Sequence, residues 1–474
     1  MIGSGVGGLL IHVVLTLLFL VWALVAAVVQ AVTSLALAVW AAVVWVVVAL
    51  LTVFGALSAG GSVYWDWSEL DTSEIAFPEG FVWGVATAAH QVEGGNTSNN
   101  WYRWEVLERP PGADPTIKRG EKSGAACDHW NLLEEDVGLV KALGVGSYRF
   151  SIEWSRLEPE QGKFDEAAWA HYHEELDLLR AAGLTPMVTL LHFSHPGWFE
   201  DLGAFEKEEN IKLFVAFCTR AYKEYGSKVK QWCTINEPEV CTCNGYVLGF
   251  FPPGMLGAMH KAGTVLGNLL KAHIEVIHAL RNHSSGPSSL LSSQVGIVKD
   301  LFQFHPNKWY NMLDQVLAWI VNRLWNGVIL DFLRTGQYRW WVPLVSSVRF
   351  TDKRAPKAND FVGLNYYSHY YVSLWAILTA MPVEKKLSAQ PLEIMTDMPQ
   401  CMYPEGLYCA IKEMCKLGHP LYVTENGIAD REDSRRPLYL RRYLYALSKA
   451  LADGCDVRGY YYWSLYDNFE WSEG

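Results

Sequence analysis

The chain has 474 residues and a mass of 53.4 kDa, which is enough for one large α/β barrel or for two to three ordinary domains. Half of its residues are hydrophobic and 19% are charged, so the chain can bury a large core. The net charge is −11, and no basic stripe offsets it. Because nucleic-acid binding needs such a stripe, the composition excludes a nucleic-acid partner.

Residues 1–64 form a hydrophobic segment that differs from the rest of the chain. No Asp, Glu, Lys or Arg precedes Asp66, and His12 is the only titratable side chain before Tyr64. A bilayer span needs about 20 apolar residues. The apolar residues 9–57 therefore predict a membrane segment of two transmembrane helices, with a weak break near residues 30–34. A cleaved signal peptide has a basic start and a shorter apolar core, so it is not expected here.

Residues 65–76 are predicted to link the membrane segment to a domain at 77–474. Trp65 and Trp67 are typical of an aromatic belt at a membrane surface. The first basic residue is Arg103, and the sequons at Asn96 and Asn282 are typical of an exposed surface in a secretory compartment. These features favour a membrane location with the domain at 77–474 on the non-cytosolic side. The sequence does not indicate the oligomeric state.

Short apolar runs alternate with amphipathic stretches from Phe81 onward, a pattern typical of βα units and a parallel sheet. The predicted strands are 81–89, 147–154, 185–193, 229–238, 294–301, 360–367, 421–427 and 458–467. The clearest predicted helices are 128–143, 167–182, 210–225 and 439–452. Eight such strands in one domain predict a (β/α)8 TIM barrel. A doubly wound open sheet is the alternative, but no GxGxxG follows the first strand.

Nine cysteines lie between Cys127 and Cys455. The spacing of Cys233, Cys241 and Cys243 lacks the paired CxxC knuckles of a zinc site. We therefore expect no metal site, and we interpret the cysteines as small buried side chains. An oxidising compartment would allow a few disulfides.

Several predicted strands end in polar residues, where a barrel builds its active site. The fourth ends in Asn236 and Glu237, and the seventh ends in Glu425. Cleavage of a glycosidic bond needs one carboxylic acid to protonate the leaving oxygen and one carboxylate to meet the cationic carbon. Glu237 and Glu425 could supply these groups about 5–5.5 Å apart, as in a retaining enzyme. Arg149 on the second strand is a candidate to keep Glu425 charged.

These motifs resemble the family 1 glycoside hydrolases, the β-glucosidase and β-galactosidase family. Glu237 lies in the family's T-x-N-E-P motif and Glu425 in its T-E-N-G motif. The segments that carry the resemblance stand in family order and are residues 77–87, 148–154, 234–238, 360–367, 403–407, 423–427 and 463–471.

The resemblance implies a role for each matching residue. Glu237 would be the acid/base and Glu425 the nucleophile, while Asn236 would bind the sugar 2-hydroxyl. The other expected sugar ligands are Gln91, His192, Glu470 and Trp471, with Trp463 as a stacking floor. Asn365 and Tyr367 would orient or contact the nucleophile. Family members need no cofactor. Both glutamates and the Glu470-Trp471 pair are present, so an unphosphorylated sugar is expected.

The chain departs from the family pattern in two places. Residues 396–400 read Thr-Asp-Met-Pro-Gln where relatives carry T-x-M-G-W, so the aglycone preference does not carry over. The chain also stops at Gly474, before the family's last helix, so the barrel is expected to be C-terminally truncated. The preferred function is hydrolysis of small-molecule or lipid-linked β-glycosides through a glycosyl-enzyme intermediate. The alternatives are a membrane-bound glycolipid transglycosylase (galactosyltransferase) and a non-catalytic, receptor-like carbohydrate-binding protein.

Overall fold

Eight parallel strands close into a barrel in the computed structural model, which describes residues 21–45, 63, 65–71, 73, 75–284, 293–373 and 393–474. The strands of this part are, in chain order, β1 (Val82–Ala86), β2 (Ser147–Ser151), β3 (Thr185–Thr189), β4 (Gln231–Asn236), β5 (Gln294–Asp300), β6 (Gln303–Pro306), β7 (Gln337–Val342), β8 (Ser346–Thr351), β9 (Phe361–Asn365), β10 (His369–Val372), β11 (Leu421–Asn426) and β12 (Val457–Trp463). Around the barrel the order is β1-β2-β3-β4-β5-β9-β11-β12, and β12 pairs with β1.

Helices surround the barrel and carry the chain from one strand to the next. In chain order they are α1 (Val21–Trp45), α2 (Ala89–Val92), α3 (Asn100–Glu105), α4 (Leu133–Ala142), α5 (Trp154–Leu157), α6 (Glu166–Ala181), α7 (Gly197–Asp201), α8 (Ile211–Tyr225), α9 (Pro238–Thr242), α10 (Met259–Ser284), α11 (Met312–Asn322), α12 (Val328–Thr335), α13 (Pro404–Cys415) and α14 (Arg436–Ala452). Single 3₁₀ turns and two π-helical turns, Cys243–Val247 and Arg323–Gly327, complete the described part.

The predicted (β/α)8 barrel is confirmed, and each of the eight predicted strands matches one barrel strand. Most of the observed strands end two to four residues earlier than predicted (81–89 against Val82–Ala86, for example). The apolar pattern continues beyond the last backbone pairing because the residues at the barrel mouth are buried as well. His192 and Glu237 lie in these buried segments, just after β3 and β4.

The barrel interior is filled by side chains and is not a pore. One buried cluster takes residues from seven of the eight strands: Ala86, Met187, Cys233, Val298, Phe361, Tyr422 and Tyr461. The strand missing from it, β2, places the fully buried Arg149 inside the barrel. A buried cation requires compensation by nearby oxygen atoms. The barrel interior near β2 is therefore suited to carboxylate side chains.

The sequence did not predict the elements between β5 and β9. Here β6 pairs with β10 in a separate parallel ribbon, and β7 and β8 form an antiparallel hairpin. The run Met312–Thr335, which includes α11 and α12, is long and apolar enough to cross a bilayer, but it belongs to the barrel domain. The ribbon places His369 close to the barrel mouth.

Helix α1 is fully exposed and, within the described residues, is the other helix long and apolar enough to cross a bilayer. It runs without interruption through residues 30–34, and the Thr33 hydroxyl donates to the Val29 and Gln30 carbonyls at 2.9 and 3.0 Å. A second helix within residues 9–57 would lie largely outside the described residues, so the number of spans stays a prediction.

Trp65 and Trp67 pack onto the side of the barrel, which differs from the aromatic belt that the sequence predicted. Their ring centroids lie 5.4 and 5.7 Å from Tyr445 on α14. The Trp65 amide and the Trp67 indole both donate to Glu405 on α13, at 3.2 and 2.9 Å. The start of the predicted linker is therefore part of the barrel domain.

Candidate active site

The polar strand ends meet at the C-terminal mouth of the barrel. Asn236 ends β4 and Glu237 follows it, while Asn365 ends β9 and Glu425 lies near the end of β11. All four side chains are buried, with at most 6% of any residue exposed. Hydrogen bonds connect them into one network. The network includes Arg149 from β2, so four separate strands position this group.

Glu425 is held by a cation and a phenol. Arg149 donates from Nη1 to Glu425 Oε1 at 2.6 Å, and Tyr367 donates from its hydroxyl to Glu425 Oε2 at 2.6 Å. Burial and the charge of Glu425 raise the pKa of Tyr367 well above its ordinary value, which keeps the phenol a donor. The two hydrogen bonds hold the Glu425 carboxyl in one orientation.

Glu237 has different surroundings. Asn365 donates from Nδ2 to Glu237 Oε1 at 2.6 Å, and no ion pair to Glu237 occurs within the described residues. Burial, followed by the negative charges of Glu425 and Asp300, raises the pKa of Glu237 well above its ordinary value. A raised pKa favours the protonated carboxyl, which is the form that can donate a proton.

The backbone of Glu237 adopts a left-handed conformation, with φ +43° and ψ +63°. Its amide donates to the Val298 carbonyl of β5 at 2.9 Å, and Pro238 then begins α9. A non-glycine residue pays roughly 1–3 kcal/mol for this conformation, which occurs most often at functional sites. The left-handed conformation thus lies at the residue whose carboxyl accepts from Asn365 at the end of β9.

Asn236 is oriented by two donors. Its Oδ1 accepts from Arg149 Nη2 at 2.7 Å and from Asn365 Nδ2 at 3.2 Å. Its Nδ2 lies 3.1 Å from His192 Nε2. Burial, reinforced by the charge of Arg149, lowers the pKa of His192 well below its ordinary value. His192 is therefore neutral, and it accepts from Asn236 through Nε2.

Gln91 and Glu470 meet on another side of the mouth. Gln91 Nε2 donates to the Phe469 carbonyl at 2.9 Å and to Glu470 Oε2 at 3.2 Å. Burial, and then the charge of Glu425, raise the pKa of Glu470 to about 7. Gln91 Oε1 and His192 Nδ1 are buried and have no hydrogen-bond partner within the described part of the chain. Such atoms require a partner, and hydroxyl groups of a ligand can supply one.

Two tryptophans border this group. The Trp463 ring is partly exposed and lies 5.8 Å from the His192 ring at an angle of 26°. Gly427 allows the Trp463 carbonyl to approach, since a Cβ at Gly427 would lie 1.7 Å from that oxygen. Trp471 is buried, and its ring packs 4.6 Å from Trp101. The exposed Trp463 face suits the C–H face of a pyranose, whereas Trp471 is mostly packed among other rings.

Comparison with known proteins identifies the family. The profile of Glycosyl hydrolase family 1 matches residues 73–474. The chain belongs to this family. Beta-glucosidase A of Thermotoga maritima is 30% identical over 434 residues, covering 84% of this chain and 91% of that protein. The chain is a retaining β-glycosidase, and its substrate is a β-glycoside.

Solved structures agree with this assignment. A beta-glycosidase from Pyrococcus horikoshii is 37% identical with a TM-score of 0.71, covering 84% of this chain and 88% of that one. A Beta-glucosidase from Thermotoga maritima in complex with galacto-hydroximolactam is 29% identical with a TM-score of 0.72, covering 84% and 92%.

Every site residue predicted from the sequence lies at this mouth, in one of the groups described above. Sequence reasoning missed Asp300, which ends β5 and contributes to the raised pKa of Glu237. It accepts from Trp325 Nε1 at 3.1 Å, and its Oδ1 has no partner within the described residues. The signal was present, because Lys299 and Asp300 are two charged residues at the end of an apolar strand.

Proposed function

We propose that Glu237 is the acid/base and Glu425 the nucleophile of this retaining β-glycosidase. The observation that carries the proposal is the difference between their surroundings. Glu425 is paired with Arg149 and accepts from Tyr367, while Glu237 is buried and makes no ion pair within the described residues. A buried carboxyl with a raised pKa, facing a second carboxyl that is held by a cation, is the arrangement that this chemistry requires.

In the first step a Glu425 oxygen forms a bond to the anomeric carbon as the glycosidic bond breaks. Glu237 gives its proton to the leaving oxygen, so the aglycone departs neutral and a glycosyl ester remains on Glu425. In the second step Glu237, now ionised, takes a proton from water. The resulting oxygen nucleophile displaces Glu425 from the anomeric carbon and releases the sugar with its original configuration.

The glycone would occupy the space between Gln91, His192, Asn236 and Trp463. Gln91 Oε1 and His192 Nδ1 would gain sugar hydroxyls as partners, and Asn236 Nδ2 would turn from His192 to the 2-hydroxyl. Glu470 would accept from hydroxyls on the far side of the ring, with the Trp471 indole beside it. A carboxylate at that position repels a phosphate group, which supports an unphosphorylated sugar.

Azide rescue tests the nucleophile. Glu425→Ala should lower kcat on a nitrophenyl β-glycoside by about 10⁴-fold or more, as expected when a covalent step is lost. Azide fits the space left by the carboxylate, so it should restore turnover and give a glycosyl azide of inverted configuration. Glu473→Ala, at a partly exposed position, is the matched control and should keep wild-type activity. A Glu425→Ala protein with near-wild-type kcat would contradict the assignment.

We also infer that the N-terminal segment attaches the enzyme to a membrane. Helix α1 is apolar and entirely exposed, and exposing a surface of this size to water would be costly. Contacts of Trp65 and Trp67 with α13 and α14 would hold the barrel close to the bilayer. An enzyme in this position could act on lipid-linked β-glycosides as well as on soluble ones.

Fractionation tests this attachment. The full-length chain should stay with membranes after alkaline carbonate extraction, whereas a variant without residues 1–57 should be released. Both proteins should hydrolyse a soluble nitrophenyl β-glycoside with the same kcat, and only the full-length chain should gain activity on a glycolipid in vesicles. Release of the full-length chain by carbonate would contradict a transmembrane attachment.

A further inference from the structure

Three metal-ligating side chains meet beside the barrel mouth, outside the proposed catalytic group. His369 begins β10, while Glu393 and Cys401 come from the stretch that leads to α13. One ligand atom from each of the three lies within 4.8 Å of the other two. The Ser368 hydroxyl donates to the Cys401 carbonyl at 2.8 Å and accepts from the Cys401 amide at 3.0 Å. These bonds fix the Cys401 segment against β10.

His369 is the central residue of this cluster. It is 3% exposed, and neither ring nitrogen makes a hydrogen bond within the described residues. Its ring stacks on Tyr403 with 3.9 Å between centroids, and one of its nitrogens lies among the ligand atoms of the cluster. Leaving a buried polar atom unpaired costs roughly 1–3 kcal/mol, so an imidazole with two such atoms requires an explanation.

The contact between His369 and Glu393 supplies a second observation. His369 Nε2 lies 2.9 Å from Glu393 Oε1, yet the pair does not have the alignment of a hydrogen bond. Glu393 Oε1 accepts from the Tyr371 hydroxyl at 3.1 Å, and its second lone pair can serve an ion that His369 also binds. His305 lies next to the cluster, 5.1 Å from the His369 ring, and its buried Nε2 also has no partner in the described part of the chain.

We propose that His369, Glu393 and Cys401 bind a zinc ion. A thiolate, an imidazole and a carboxylate form a mixed sulfur, nitrogen and oxygen set that suits Zn²⁺, and three protein ligands leave a fourth tetrahedral position for water or His305. Binding forms a sulfur–zinc bond, and the Cys401 thiol proton passes to solvent. The proposal departs from the sequence-based expectation of no metal site, and it does not depend on the roles proposed for Glu237 and Glu425.

The ion would hold the Glu393–Cys401 stretch onto β10. This strand begins two residues after Tyr367, whose hydroxyl contacts Glu425. The three ligands would thus be positioning residues for one wall of the mouth. Zinc should therefore raise the Tm and lower KM while changing kcat less.

Metal analysis of the full-length protein tests the proposal. After treatment with a chelator and refilling with Zn²⁺, the wild type should retain about one zinc ion per chain. Cys401→Ser, which is nearly isosteric, and Glu393→Gln should each weaken zinc binding at least tenfold and abolish the rise in Tm. Cys409→Ser is the matched control, since Cys409 is a partly buried thiol outside the cluster, and it should bind zinc like the wild type.

Cobalt substitution gives a readout that does not require a variant to fold. Wild-type protein loaded with Co²⁺ should show the near-ultraviolet thiolate-to-cobalt absorption together with the strong visible bands of a tetrahedral ion. Cobalt bound without the thiolate absorption would overturn the proposal. So would equal zinc retention by the wild type and Cys401→Ser.

Discussion

Glu237 and Glu425 are the same residue type at the same barrel mouth, yet the fold gives their carboxyls opposite surroundings. Glu425 accepts from a guanidinium and a phenol, whereas Glu237 accepts from a carboxamide and is otherwise desolvated beside negative charges. Desolvation disfavours a charge, and a nearby cation favours one. The comparison teaches that neighbours, not the residue type, decide which carboxyl holds the proton.

The largest effect within this comparison is expected from Glu237→Gln. This change removes the proton donor, so kcat/KM on a β-glycoside with a poor leaving group should fall by about 10²–10⁴-fold. A dinitrophenyl glycoside needs no protonation of its leaving group, and its glycosylation step should be nearly unaffected. Steady-state and pre-steady-state kinetics on the two substrates measure the contrast. Equal losses on both would contradict a donor role.

The same variant tests the raised pKa through stability. A carboxyl whose folded pKa lies above its unfolded value contributes stability that is present below about pH 4 and is lost as the pH rises through the folded pKa. Glu237→Gln removes this loss of stability, so the variant should unfold at a higher denaturant concentration than the wild type near pH 7. The difference should shrink toward pH 4. A constant difference across this range would show that the Glu237 pKa is not raised.

Replacing the Arg149 cation should make the surroundings of Glu425 similar to those of Glu237. Arg149→Met leaves Glu425 buried without its partner, which should cost about 3–5 kcal/mol in the free energy of unfolding. The nucleophile also loses the group that orients it, so kcat/KM should fall by roughly 10²–10³-fold. Arg149→Lys should recover part of the lost stability and part of the lost kcat/KM. As a control, Lys163→Met breaks an exposed ion pair with Glu160. It should change the free energy of unfolding and kcat/KM only slightly.

A smaller effect is expected from Tyr367→Phe, which removes one hydrogen bond to the Glu425 carboxylate. A bond to a charged group contributes about 1.5–3 kcal/mol, so kcat should fall by roughly 10–100-fold. The fold should survive, because the ring is retained. Tyr408→Phe removes a hydroxyl that contacts Asp453 on the outer helices and should leave kcat unchanged. Equal kcat values for the two variants would contradict a role for the Tyr367 hydroxyl.

The smallest effect is expected at Glu470, whose pKa of about 7 places its titration between pH 6 and pH 8. As the pH rises through 7, the carboxyl loses its proton and gains an acceptor for sugar hydroxyls, so KM should fall. Glu470→Gln should raise KM about tenfold at pH 8 and make it independent of pH between 6 and 8. A pH dependence of KM that survives in the variant would assign the titration to another group.

The eight barrel strands could be predicted because each is buried on both faces and therefore reads as a continuous apolar run. The candidate site could be predicted because polar residues interrupt these runs at their ends. The β6–β10 ribbon was missed, since its short strands lie 62 residues apart and have no periodicity of their own. The same separation concealed the proximity of His305 to His369. The irregular stretch between β10 and α13 concealed that of Glu393 and Cys401 to His369.

The packing of Trp65 and Trp67 could not be predicted either. Aromatic residues after an apolar segment suit a membrane surface and a barrel surface equally well. Only the position of Glu405, 340 residues away, decides between the two.

The sequence by itself determined the family, the barrel and the residue types at its mouth, because burial patterns and short motifs are written locally along the chain. The tertiary structure decided the different surroundings of the two carboxyls, the orientation of Asn236 and the convergence of His369, Glu393 and Cys401. These properties depend on distances between atoms from separate strands. Electrostatic interactions and metal coordination depend on distances in space. The order of residues along the chain does not specify these distances, because they are set only when the barrel closes.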